Sequence, residues 1–104
     1  MSITEDIKQL ITDHGCVLFM KGSQDFPQCG FSSHAVSVLR KYGVVFHDVN
    51  ILENPELRQA LKAYSDWPTY PQLYVGGEFI GGVDIMREMD EAGELTELFA
   101  GVSA

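Results

Sequence analysis

The chain has 104 residues, with seven Lys and Arg against fifteen Asp and Glu and a formal net charge of −8. No basic run exists to displace counterions, so neither nucleic acid nor an anionic membrane is expected as a main partner; one small anion held by a local Lys/Arg pair is compatible with this charge. The longest wholly apolar run, Cys16 to Met20, is five residues, too short to cross a bilayer, and no segment reads as a signal peptide.

Ser2-Ile3-Thr4-Glu5 reads as a capping box, followed by Ile3, Ile7, Leu10 and Ile11 at helical spacing, with Gly15 to close the helix. Cys16 to Met20 has the length of a strand. Gly22 to Gln28 is a polar loop carrying Pro27. A second helix is predicted from Cys29 or Gly30 to Lys41, with Phe31, Ala35, Val38, Leu39 and Tyr42 as its buried stripe and Gly43 ending it. Val44 to Val49 reads as a strand. Asn54 as N-cap and Pro55 at the first helical position open a third helix, which buries Leu57, Ala60, Leu61 and Tyr64. Gln72 to Val75 and Glu78 to Gly81 flank Gly76-Gly77, a hairpin signal. Asp84 is the expected cap of a fourth helix through Ala92, Gly93 breaks it, and Leu95, Leu98 and Phe99 mark a short last helix.

The order is α-β-α-β-α-β-β-α-α. Two β-α-β crossovers and a hairpin predict an α/β fold, a mixed four-stranded sheet flanked by helices on both faces. There is no repeat and no linker, so residues 1–104 are expected to form a single domain. A chain of this size builds a core without staples, and two cysteines suit a reducing compartment.

Cys29 falls at the start of the second helix. Unpaired N–H groups and the positive end of the helix dipole favour a thiolate there, so its pKa is expected below the free value of about 8.5. Lys21, just past the preceding strand, adds positive charge. The competing reading, a buried structural cysteine, fits poorly with the polar loop beside it. Ser32 stands where a C-x-x-C pair has its second thiol, and a hydroxyl cannot resolve a mixed disulfide. Any redox cycle needs an outside thiol or Cys16, and Cys16, in an apolar strand, reads as core. Two cysteines cannot make a four-cysteine metal site within one chain. His34 lies about 140° around the helix from Cys29. His14 and His47 have no ligand-spaced neighbours, so all three histidines are expected to be ordinary surface or core imidazoles.

Lys21-Gly22, then Cys29-Gly30-Phe31-Ser32, then Trp67-Pro68-Thr69-Tyr70-Pro71-Gln72, then Gly81-Gly82-Val83-Asp84 resemble the monothiol glutaredoxins of the CGFS type. The similarity runs from about Ile7 to Phe99. It implies a thioredoxin-like fold and a glutathione site. By that resemblance Lys21 and Arg58 hold the glycine carboxylate of glutathione. Pro71 is cis, and the backbone of Tyr70 before it pairs with the cysteinyl backbone of the tripeptide. Val83 and Asp84 bind the γ-glutamyl end. Read alone, Arg58 is a solvated helix face and Asp84 a helix cap, and the cap is compatible with binding.

The resemblance also implies a 2Fe–2S cluster between two subunits, with Cys29 as its metal ligand. Such a cluster takes four protein-side ligands, and one Cys29 and one glutathione from each chain of a homodimer supply four. A BolA-like protein and iron–sulfur apoproteins are the implied partners. Many members carry a cysteine where this chain has Val83, so a resolving thiol is missing while the cluster role is untouched.

Two functions follow from one site. The first is an iron–sulfur carrier. The second is a glutathione-dependent oxidoreductase that uses Cys29 as catalytic nucleophile on glutathionylated proteins. A thiol-bearing interaction module without either activity is the third reading. Ser32 and the long loop before Cys29 favour the carrier. Bacterial cytoplasm is the default compartment and an organellar matrix the alternative.

Overall fold

Every residue from Cys16 to Met20 is buried, the pattern of a strand covered on both faces. In the computed structural model, which describes residues 2–101, this strand is β1 (Cys16–Met20). It joins β2 (His47–Asn50), β3 (Gln72–Val75) and β4 (Glu78–Gly81) in a sheet of order β2-β1-β3-β4. β1 runs parallel to β2 and antiparallel to β3, and β3 runs antiparallel to β4. The mixed four-stranded sheet is the one the sequence predicts.

Helices α1 (Ile3–Asp13), α2 (Gly30–Lys41), α3 (Pro55–Ser65), α4 (Val83–Glu91) and α5 (Leu95–Ala100) cover it. Successive side chains of a strand point to opposite faces, and β1 is sorted accordingly between two cores. Cys16, Leu18 and Met20 join Leu73 and Val75 against α2, α4 and α5. Val17 and Phe19 join Tyr74 against α1 and α3. Each fully buried Leu, Ile or Phe contributes about 1.5–3 kcal/mol, so a five-residue run stabilises both layers.

Local chemistry sets the element ends. Ser2 caps α1 by accepting from the Glu5 N–H at 3.1 Å, and Asn54 caps α3 by accepting from the Leu57 N–H at 3.1 Å. Gly76 and Gly77 turn β3 into β4 with φ of 60° and 81°, the left-handed region that a two-residue hairpin turn requires.

Three local expectations are corrected. β2 begins at His47, not Val44. The paired register of β1 with β2 runs from Val17–His47 to Met20–Asn50, so the ladder does not extend back to residues 44–46, and the Val44 N–H bonds the Leu39 carbonyl at 3.2 Å instead. Phe31 is 62% exposed rather than part of the buried stripe, and Ser32 is fully buried in its place. Asp84 does not cap α4: Gly82 is the N-cap, and Asp84 lies in the first turn. A 3₁₀ turn at Ile51–Glu53, capped by the Asn50 side chain, is additional to the predicted elements.

Candidate functional site

Lys21 follows β1, and the loop 22–28 leads from it to α2. The loop folds back on itself. The Gln28 N–H donates to the Lys21 carbonyl at 2.8 Å, and Ser23 and Phe26 exchange backbone hydrogen bonds. Gly22 has a φ of +92°, and a Cβ there would lie 2.5 Å from the Phe26 carbonyl oxygen. Only glycine fits that crossing of backbones.

The loop delivers Cys29 as the N-cap of α2, in extended backbone conformation. Its sulfur accepts from the Ser32 N–H at 3.3 Å, and the Ser32 hydroxyl lies 3.3 Å from the same sulfur. The Ser32 oxygen in turn accepts from the Lys21 N–H at 3.1 Å. With that side of the oxygen occupied, the hydroxyl proton is free to point at a thiolate. Partial burial opposes ionisation of Cys29. The Ser32 hydroxyl, the N–H groups of Ser32 and Phe31 and the charge of Lys21 outweigh it and hold the thiol below its ordinary range.

Cys16 behaves in the opposite way. It is 2% exposed, and burial pushes its thiol up to about 12. Cys16 opens β1, whereas Cys29 is tied through Ser32 to Lys21, just past the other end of that strand, which rises about 13 Å over its length. A disulfide needs Cα atoms within about 7 Å, so no bridge forms in this fold.

Beside Cys29 lies a cleft of about 350 Å³. Lys21, Arg58, Tyr70, Pro71, Val83 and Asp84 all line it, although they come from separate stretches of the sequence. Cys29 is not among the lining residues; Phe31, two positions on, is. Trp67, Thr69 and Gly82, quoted among the motifs without a binding role, line the cleft too, and so does Lys62, which was not singled out in the sequence. Lys62 follows Arg58 by four residues on α3 and so shares its face, which is the signal that would have found it.

The wall between α3 and β3 has a clear local origin. Asp66 ends α3 in the left-handed conformation, the Trp67 N–H bonds the Lys62 carbonyl at 3.2 Å, and Pro68 cannot continue the helix. Gln72, fully buried, donates from Nε2 to the Trp67 and Thr69 carbonyls at 3.3 Å each. The Tyr70–Pro71 peptide is cis, as the resemblance implies. The Tyr70 hydroxyl donates to the Arg58 carbonyl and ties this segment to α3; burial pushes its pKa up to about 12.

Across the cleft, α4 begins without a capping side chain, whereas Ser2, Cys29 and Asn54 cap α1, α2 and α3. The first N–H groups of α4 are therefore open to an anion. The Asp84 carboxylate beside them is exposed and 3.9 Å from Arg87. Cations from the end of β1 and from α3 thus face an open helix start and a carboxylate on α4. Such a cleft suits a molecule with two carboxylates and an ammonium, next to a thiolate.

His14 and His47 meet despite their separation in sequence. Their rings stack at 4.1 Å with 4° between planes. Parallel rings aim their nitrogen lone pairs side by side rather than at a common ion. Among the described residues no group of three metal-binding side chains occurs.

Residues 16–80 match the family model described as Glutaredoxin. The chain belongs to the glutaredoxin family. It is 55% identical over 95 residues to Monothiol glutaredoxin-S14, chloroplastic, of Arabidopsis thaliana, covering 91% of this chain and 55% of that protein. It spans about half the length of that relative. It is 48% identical over 97 residues to Probable monothiol glutaredoxin 2 of Rickettsia felis, covering 93% of each chain. Its fold superposes on the solution structure of reduced poplar apo GrxS14 with a TM-score of 0.82 and 53% identity, covering 92% of this chain and 88% of that one. The fold is thus the thioredoxin-like fold of glutaredoxins. Within this glutaredoxin the motif Cys29-Gly30-Phe31-Ser32 holds one thiol, in keeping with the names of its monothiol relatives.

Proposed function

We propose that this monothiol glutaredoxin binds glutathione in the cleft beside Cys29 and, as a homodimer, carries a 2Fe–2S cluster for storage, transfer and assembly of iron–sulfur centres. One observation carries the reading: a single accessible thiol, favoured as thiolate, adjoins a cleft that has cations on one wall and an uncapped helix start on the other. Glutathione has two carboxylates, one ammonium and one thiol. Lys21 and Arg58 pair with its glycine carboxylate, and Lys62 adds a third cation on the same face of α3. Tyr70 and Pro71 flank its cysteinyl backbone. The N–H groups at Val83 and Asp84 take the γ-glutamyl carboxylate, and the Asp84 side chain meets the ammonium.

The donor set fits a cluster only across two chains. Cys16 is sealed in the core, which leaves Cys29 as the one reachable thiol per chain. Cys29 and one glutathione from each chain supply the four sulfur ligands. Bound there, the cluster would be the cargo, iron and sulfide in a form that an acceptor can take up. The part of this chain is to keep Cys29 ionised through Ser32, as a metal-ligating thiol must be. A BolA-like protein and iron–sulfur apoproteins are the partners in this reading. The compartment is reducing, a bacterial cytoplasm by default or an organellar matrix, and two free thiols are in keeping with it.

The lowered Cys29 pKa also favours a second reading. The thiolate attacks the glutathione sulfur of a glutathionylated protein, the protein thiolate leaves, and a second glutathione attacks the resulting Cys29–glutathione disulfide, freeing the Cys29 thiolate and forming oxidised glutathione. Anaerobic reconstitution with iron, sulfide and glutathione, read by visible absorption during size-exclusion chromatography, separates the two. A 2Fe–2S spectrum that coelutes with a glutathione-dependent dimer and vanishes in Cys29→Ser is expected. No cluster, or one indifferent to Cys29→Ser, overturns the carrier and leaves the oxidoreductase.

A further inference from the structure

The loop 22–28 is fastened to β2 by two side chains that line no part of the cleft. Asp48 accepts the Gln24 backbone N–H on Oδ2 at 2.9 Å and the Gln24 side-chain amide on Oδ1 at 3.0 Å. Asn50 Oδ1 accepts the N–H groups of Gly22 and Leu52, each at 3.0 Å. Asp48 and Asn50 are two residues apart on one strand and so share a face. Their places are set by the sheet, because Asp48 is in register with Leu18 and Asn50 with Met20. The loop they grip begins after Lys21, which lines the cleft, and ends before Cys29, which does not. Its shape therefore governs how the sulfur stands relative to whatever occupies the cleft.

We propose that Asp48 is a positioning residue for Cys29: clamped to Gln24, it holds the loop 22–28 against β2 and so sets the sulfur in place for glutathione in the cleft. The proposal rests on the reading of the cleft as a glutathione site. It is tested by comparing two reactions of the same thiol. With oxidised glutathione, the Cys29 thiolate attacks one sulfur, a Cys29–glutathione disulfide forms as the reagent's S–S bond breaks, and the departing thiolate takes a proton from water. That reaction uses the cleft. With iodoacetamide, the thiolate displaces iodide and needs no seat in the cleft.

Asp48→Ala is expected to slow the reaction with oxidised glutathione about tenfold, within the range that a misplacement below 1 Å costs, and to leave alkylation within about twofold. Asp48→Asn is expected to restore it. The new amide keeps an oxygen for the Gln24 N–H, and the Gln24 side chain can turn over to offer its own carbonyl. Gln24→Ala removes only the side-chain bond and is expected to act in the same direction, more weakly; it carries the test if Asp48→Ala does not fold. Unchanged selectivity in these two alanine variants overturns the proposal. So does a parallel loss of both reactions, or an Asp48→Asn variant as slow as Asp48→Ala, which would point to charge rather than the clamp. An unaltered chain with no preference for oxidised glutathione over a small uncharged disulfide removes the glutathione reading and the clamp with it, and is told apart because no variant is involved.

Discussion

Ser32 reaches the Cys29 sulfur twice, through its amide N–H and through its hydroxyl, each at 3.3 Å. The residue that denies the motif a second thiol is therefore a hydrogen-bonding partner of the first. Its oxygen is held by the Lys21 N–H, so the end of β1, the start of α2 and the sulfur form one connected set.

Ser32→Ala keeps the amide and loses the hydroxyl. The Cys29 pKa is expected to rise toward the ordinary thiol value, read from ultraviolet thiolate absorbance against pH. The half-buried Lys21 N–H also loses its acceptor, a cost of about 1 kcal/mol in urea unfolding. A pKa that stays where it was would assign the depression to the N–H groups at the helix start and the charge of Lys21.

Arg58→Ala removes one cation from the wall that faces the glycine carboxylate in the proposed complex. Glutathione affinity is expected to fall about tenfold, or about 1.4 kcal/mol. Calorimetric titration at two salt concentrations checks it, since the difference should shrink as salt rises.

His47 links stability to pH. Burial, and then His14 stacked on it, hold its pKa below the ordinary value, against a weaker pull from Asp48. The folded state therefore binds fewer protons than the unfolded chain. The stability this contributes is present above about pH 6.5 and is lost as pH falls below that value toward the lower folded pKa. Urea midpoints from pH 8 to 5 should decline, and His47→Gln should flatten the part of the decline that begins near pH 6.5.

Gly22→Ala places a Cβ against the Phe26 carbonyl at a φ of +92°. A loss of about 2 kcal/mol or more is expected, visible as a lower thermal midpoint. A variant as stable as the parent chain would mean that the loop can open without cost.

Much of the fold was legible because short-range chemistry decides it. Ser2, Asn54-Pro55 and Gly76-Gly77 are cap and turn signals that act within four residues, and each does what its pattern says. The misreadings fall where a partner distant in sequence intervenes. The apolar spacing puts Phe31 inside, but the face that α2 buries is Ser32, Ala35, Val36 and Leu39, with the Ser32 hydroxyl accepting from Lys21 across the loop. Asp84 has the chemistry of a cap, yet Gly82 already occupies that position. The start of β2 depends on where its pairing with β1 begins, which its own sequence does not encode. Motif residues of the cleft could be named in advance, whereas Lys62 needed the helix face of Arg58, and the His14–His47 stack needed the sheet that joins the two.

Cys16 is shut inside one core while Cys29 stands at a helix end, and this has a consequence in mass action. Each chain offers solvent one thiol, so any assembly that requires two protein thiols contains two chains. Its abundance then follows the square of the free chain concentration. Halving the free chain concentration quarters that species at fixed concentrations of the other components. Dilution alone would disperse it, with no change in any bond within the fold.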